Sequence, residues 1–152
     1  MKQSLKFCVD CATETQIAKH LMSCDKTFIP PLSERVEIYN YARKVTTHAT
    51  RFELWANDNL VGLVAMYCND QEKRIAYITS ISVLSRWQCQ GIASQLIQRC
   101  ISYASNQGFF YIELEVDTRN SRAVTLYKKH RFSIYRSADQ SYIMHLLVTR
   151  EV

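Results

Sequence analysis

Glycine and proline are scarce in this 152-residue chain, with three of the first and two of the second. So few backbone breakers exclude collagen-like and low-complexity architectures, and they make the position of each glycine informative. Long apolar runs are also missing, since no stretch approaches the roughly 20 residues that a membrane-spanning helix needs. The opening, MKQSLKFCVD, carries neither an apolar run nor a small-residue cleavage pattern. No signal peptide and no membrane contact are therefore expected, and the chain reads as cytoplasmic. Six cysteines are present, but Cys24, Cys68, Cys89 and Cys100 show no framework spacing, which favours reduced thiols. Cys8 and Cys11 form a lone C-x-x-C within the first strand. A zinc site needs two more ligands at suitable spacing, and none appears, so no metal is predicted. Concentrated charge is absent as well. The net charge of +5 is spread along the chain with no basic run or helix face, which argues against a nucleic-acid partner and suits a small polyanionic ligand.

What is present is the composition of a folded globular domain, 47% hydrophobic and 22% charged, with no repeat, linker or biased segment. One domain over residues 1–152 is expected. The chain begins with a short strand, Lys6 to Asp10, then a helix from about Thr13 to Ser23. TFIPPL follows, where two prolines impose a stiff extended connection. Ser33 reads as the N-cap of a second helix, with Val36, Tyr39, Ala42 and Val45 at helical spacing. RFELWA and LVGLVAMYC form a hairpin over Asn57, Asp58 and Asn59. A turn at Asn69 and Asp70 leads into the β-branched run IAYITSISV.

The period then changes. Ile92, Ala93, Leu96, Ile97, Cys100, Ile101 and Ala104 make a helical stripe, closed by Gly108 where a left-handed residue suits a helix end. FYIELEV alternates as a strand, with Phe110, Ile112, Leu114 and Val116 toward the core and Glu113 and Glu115 on the other face. Asn120 caps a helix ending near His130, and FSIYRS and SYIMHLLV supply two last strands. The order β-α-α-β-β-β-α-β-α-β-β indicates an α/β (α+β) sheet covered by helices.

Gly91 lies between the strand IAYITSISV and the long helix, in QCQGIA (Gln88 to Ala93). A strand, a tight loop and a helix N-terminus aim unpaired backbone N–H groups, and the positive end of the helix dipole, at one point. Together they form an anion site. Here the sequence resembles the GNAT superfamily of N-acetyltransferases, whose phosphate loop reads Q/R-x-x-G-x-G/A after a strand matched by Ile81, Ser82 and Val83. The family's second motif, N-x-x-A-x-x-L-Y-x-x-x-G-F, is matched by NSRAVTLYKKHRF from Asn120 to Phe132, in the same order and linked by a strand reading LEV. Arg131 replaces the usual glycine before Phe132, so the turn after that helix is expected to be built differently.

The resemblance implies a mixed, mostly antiparallel central sheet with splayed central strands and about four flanking helices. It implies a bacterial acetyltransferase that uses acetyl-CoA and acts by direct attack of a bound amine. The backbones of Ile81, Ser82 and Val83 would pair with pantetheine. Gln88, Cys89, Gln90, Gly91, Ile92, Ala93 and Ser94 would surround the pyrophosphate, and Asn120 and Tyr127 would also meet the cofactor. Tyr127 matches the family's general acid, and a phenol with a pKa near 10 suits a thiolate leaving group. Many members carry a glutamate base where this chain has Thr79. Glu115 resembles the base of the ribosomal-protein N-terminal acetyltransferases, with Glu113 or a water chain as alternatives. By the same resemblance the acceptor site gathers Phe28, Pro31, Arg35, Tyr39 and Tyr142. The acceptor is read as a small-molecule amine, an amino sugar being one candidate. A protein N-terminus or lysine remains open, as does a non-catalytic acyl-CoA sensor. Either a monomer or a homodimer fits.

Overall fold

The computed structural model describes residues 4–148. Strand β1 (Leu5–Val9) leads to helix α1 (Glu14–Ser23), which opens with a capping box between Thr13 and Gln16. The reciprocal bonds satisfy two of the donors that every helix start leaves free. The buried carboxylate of Glu53 fixes this start from outside, accepting from the Cys11 and Ala12 N–H groups and from Trp55 Nε1. Helix α2 (Ile38–His48) follows, then β2 (Ala49–Ala56), β3 (Asn59–Tyr67) and β4 (Ile75–Val83). Helix α3 (Ile92–Asn106), β5 (Tyr111–Asp117), α4 (Ser121–Lys129), β6 (Ser133–Ala138) and β7 (Ser141–Leu147) complete the chain.

The strands form one seven-stranded sheet in the order β1-β2-β3-β4-β5-β7-β6. Every pairing is antiparallel except that of β4 with β5. The mixed, mostly antiparallel sheet with four α-helices is the expected class. From Leu60 to Met66 strand β3 is apolar and covered on both faces: Val64 and Met66 join the core beneath α3, while Leu63 and Ala65 join the core beneath α1 and α2. Gly62 is the point of closest helix approach. A Cβ there would stand 2.9 Å from Ile92 Cγ2 and 3.1 Å from Leu96 Cδ1. Among the described residues no helix is long and apolar enough to cross a membrane.

Three local expectations are corrected. Ser33 does not cap α2. Asp25 captures its backbone N–H and its hydroxyl, both at 2.7 Å, so Leu32–Glu34 closes as a single 3₁₀ turn and the helix starts after Glu37. Phe110 is not core. The left-handed Gly108 (φ 81°) turns Phe109 into the interior and leaves Phe110 40% exposed. Arg131 takes the left-handed conformation itself (φ 72°), so the turn after α4 keeps its shape at the strain cost of a side chain in that region, about 1 kcal/mol.

Candidate active site

Strands β4 and β5 pair only from Ile75↔Tyr111 to Ile78↔Leu114. Thr79 and Glu115 are therefore the first residues on either side of a widening gap. Its cause is visible on the other edge of β4: between the pairs Ala65↔Ser80 and Met66↔Ile78 the register shifts, leaving Thr79 as an extra residue. Such a bulge bends the strand that carries it. Beyond the bulge, Ile81, Ser82 and Val83 still pair with β3 on one side, and their other edge is offered to the gap.

A cavity of about 580 Å³ runs through this gap. On one side it meets the turn before α3. Cys89 (φ 63°) and Gly91 (φ 77°) are both left-handed there, so the loop curls back and the first backbone N–H groups of α3 converge. Alternating left- and right-handed residues at a helix N-terminus make a concave anion nest. The loop is held by Gln88 Nε2 donating to the Val83 carbonyl at 3.2 Å and by Leu84 N–H donating to the Val61 carbonyl. The Arg122 guanidinium reaches over from α4 and donates to Cys89 Sγ at 2.8 Å. His130 Nε2 lies 3.0 Å from the Ser94 hydroxyl, and burial followed by the charge of Lys129 lowers its pKa.

Tyr127 lines the same cavity from α4. Burial raises its phenol well above the ordinary value of 10, so it stays protonated at neutral pH. Its ring packs on Phe132 with centroids 6.0 Å apart. Asn120 caps α4, its side chain accepting from the Ala123 N–H. Across the gap, Glu115 is exposed and accepts from the Ser141 hydroxyl. Asp117 is pinned by two side-chain bonds and one backbone bond from Arg119, which hold its pKa down at about 2.

Of the residues singled out by sequence, Ile81, Ser82, Val83, Gln88, Cys89, Gly91, Ile92, Ala93, Ser94, Asn120, Tyr127 and Glu115 all line this one cavity, and Phe28 and Arg35 line its other end. Gln90, Pro31, Tyr39 and Tyr142 lie outside that lining. Glu113 is also outside it, in register with Tyr77 and His145. Tyr39 stands 59% exposed; Tyr41, two residues on, turns inward, and its hydroxyl lies 2.8 Å from Thr79 Oγ1. An inward stripe of Ile38, Tyr41, Ala42 and Val45 would have identified it once the helix start was placed correctly. Thr27, Trp87 and Arg122 also line the cavity and had no sequence signal, because only the fold brings these segments together.

Comparison with known proteins agrees with this geometry. A family model described as "Acetyltransferase (GNAT) family" matches residues 15–132. "Probable N-acetyltransferase san" of Drosophila melanogaster is 32% identical over 88 residues, 57% of this chain and 48% of that protein. The chain thus spans less than half the length of the curated relatives it matches, 48% in one case and 35% in another. The crystal structure of the ribosomal-protein-S18-alanine N-acetyltransferase from Escherichia coli superposes with a TM-score of 0.76 at 18% identity, covering 98% of this chain and 97% of that one. That of an N-acetyltransferase from Thermoplasma acidophilum in complex with coenzyme A gives 0.73 at 12%, covering 95% and 99%. At these identities the two structures share the fold.

Proposed function

The chain belongs to the acetyltransferase (GNAT) family, and we propose that it moves an acetyl group from acetyl-CoA to the primary amine of a small molecule within a ternary complex. The observation that carries this is the meeting, in one cavity, of a free strand edge at Ile81–Val83 with the anion nest at the start of α3. A long ligand with an amide-bearing arm and a pyrophosphate fits that pair: the free edge of Ile81–Val83 would hold the arm, and the N–H groups of Ile92, Ala93 and Ser94 would donate to the pyrophosphate. When bound, acetyl-CoA supplies an acetyl group already activated as a thioester. Structures of fold neighbours that contain coenzyme A or acetyl-CoA support the same cofactor.

The chain's own residues then have separable tasks. The backbone of Ile81–Val83 orients the reacting centre at the gap, where proximity alone contributes a large part of the rate. Glu115 stands at the opening of the gap and accepts the amine's proton, directly or through one water. Tyr127, half-buried and a neutral phenol whose pKa desolvation raises further above 10, donates the proton that the departing thiolate requires. Phe28, Arg35 and the Tyr41–Thr79 pair frame the acceptor.

A protein α-amino group is the second reading of the acceptor. Glu115 favours it, since this β5 carboxylate resembles the base of N-terminal acetyltransferases and the β4 position that commonly holds a base is threonine. Calorimetric titration with acetyl-CoA tests the cofactor assignment. The wild type is expected to bind in the micromolar range and Gly91→Trp to lose binding. Nothing lies within 4 Å of a Cβ at Gly91, so the new side chain covers the nest. The left-handed backbone there (φ 77°) adds a local strain of about 1–2 kcal/mol, with circular dichroism as the check that the variant folds. Equal binding by both, or no binding by either folded protein, refutes the assignment. Binding without turnover of any amine would make the domain a sensor.

A further inference from the structure

Helix α1 carries a histidine that the proposed chemistry does not use. His20 is 3% exposed, and both ring nitrogens are engaged. Nδ1 lies 2.8 Å from the Leu60 carbonyl on β3. A carbonyl only accepts, so Nδ1 holds the proton. Nε2 is then the bare nitrogen, and the Ser82 hydroxyl, 2.9 Å away, must donate to it. The fully buried Cys24 thiol approaches the same nitrogen at 3.7 Å. Burial pushes the imidazole down to about 4 and the thiol up to about 11, so the cluster is uncharged and its donor and acceptor roles are fixed.

Ser82 sits where β4 has left β5 and is paired on one edge only, with Leu63. A strand with a free edge needs restraint from another direction if that edge is to stay preorganised. From α1 the chain runs through Cys24 into the turn Asp25–Thr27, and then Phe28, Ile29 and Leu32 wall the acceptor end of the cavity. A single imidazole thus joins the offered strand edge to the element that begins the opposite wall. We propose that His20 is a positioning residue: acting through the Ser82 hydroxyl, it holds the β4 edge in register for acetyl-CoA and links that edge to the acceptor wall. This rests on the reading that β4 receives the cofactor.

Two conservative variants separate the arms of the ring. His20→Gln places a polar atom near Nε2 and keeps an acceptor for Ser82. His20→Asn places one near Nδ1 and keeps only the Leu60 contact. Acetyl-CoA dissociation constants are measured for both, and for Ser82→Ala, with circular dichroism and urea midpoints as checks on folding. His20→Asn and Ser82→Ala are expected to bind roughly tenfold more weakly, His20→Gln within about threefold of wild type, and the Asn variant combined with Ser82→Ala no more weakly than either alone. A purely structural histidine would lower the urea midpoint and leave the dissociation constant untouched in every variant that folds. That result overturns the proposal, as does an additive double variant. If His20→Asn fails to fold, Ser82→Ala against His20→Gln decides alone. Absence of acetyl-CoA binding by the wild type is a different result and overturns the cofactor assignment itself.

Discussion

Replacing Tyr127 by phenylalanine removes one oxygen from a ring whose position is set by packing against Phe132. Among the described residues the hydroxyl makes no hydrogen bond to the protein, so nothing in the fold is left unpaired when it goes. Stability should change by no more than about 0.5 kcal/mol. The catalytic effect should be much larger, because without a proton donor the thiolate must leave as the anion. Loss of one general acid costs on the order of 10² in rate, equivalent to about 3 kcal/mol at the transition state. The loss should appear chiefly in kcat, with KM for acetyl-CoA changed by no more than about threefold, since β4 and the nest supply most of the proposed cofactor contacts and the ring of Tyr127 is retained. Burial raises the phenol far above 10, so the wild-type rate should show no alkaline fall owing to this tyrosine below about pH 10. Turnover is best followed by chromatographic quantification of free coenzyme A, because the exposed thiols of Cys11 and Cys89 would react with a thiol dye. A Tyr127→Phe enzyme that keeps kcat within threefold of wild type would refute the assignment and leave Tyr127 as a packing residue.

Glu115→Gln keeps an acceptor for Ser141 and removes the base; kcat should fall roughly 10- to 100-fold with acetyl-CoA affinity intact, and an unchanged kcat would move the proton to a water route. Gly62→Ala forces a Cβ to within 2.9 Å of Ile92 Cγ2 and 3.1 Å of Leu96 Cδ1, so the Ile92 side chain at the start of α3, or the helix with it, must give way. The expected cost is about 1–3 kcal/mol, read from urea midpoints, together with weaker acetyl-CoA binding as the nest shifts; an unchanged midpoint would contradict the close approach. His20 makes the fold acid-sensitive. Its folded pKa of about 4 lies below the ordinary 6.5, so the unfolded chain takes up the proton first. Stability is fully present above about pH 6.5 and declines by up to about 3 kcal/mol as pH falls toward 4. Chemical denaturation across that range should show this slope in the wild type and a shallower one in His20→Gln.

The elements themselves were largely legible. IAYITSISV and the stripe from Ile92 announced β4 and α3 because β-branched alternation and a 3.6-residue period are local properties. So were the left-handed Gly108 and the cap at Asn120. Where a short-range competitor intervened, the reading failed. Ser33 has the chemistry of an N-cap, yet Asp25, eight residues back, binds it first, and the helix face slips so that Tyr41 rather than Tyr39 looks inward. The lining of the candidate site is legible where it lies in one segment, as in Gln88 to Ser94 with Gln90 excepted, and illegible where it is assembled across segments. No local pattern tells that Arg122 reaches Cys89 or that Tyr41 reaches Thr79.

The gap between β4 and β5 shows the same division at its sharpest. Its position follows from a bulge, and the bulge has no residue signature: Thr79 and Ser80 are ordinary strand formers. What selects it is the competition between two registers. Antiparallel pairing of β3 with β4 wants continuous alternation, whereas Tyr41 and His20 hold the Thr79 and Ser82 hydroxyls on the α1–α2 side. Without the shift at Thr79, strict alternation would put residues 79 and 82 on opposite faces. One extra residue lets both point toward the same pair of helices, and the strand bends away from β5 as a consequence. The opening proposed to receive the cofactor thus accompanies two hydroxyls, the half-buried one of Thr79 and the buried one of Ser82, that meet partners on one face.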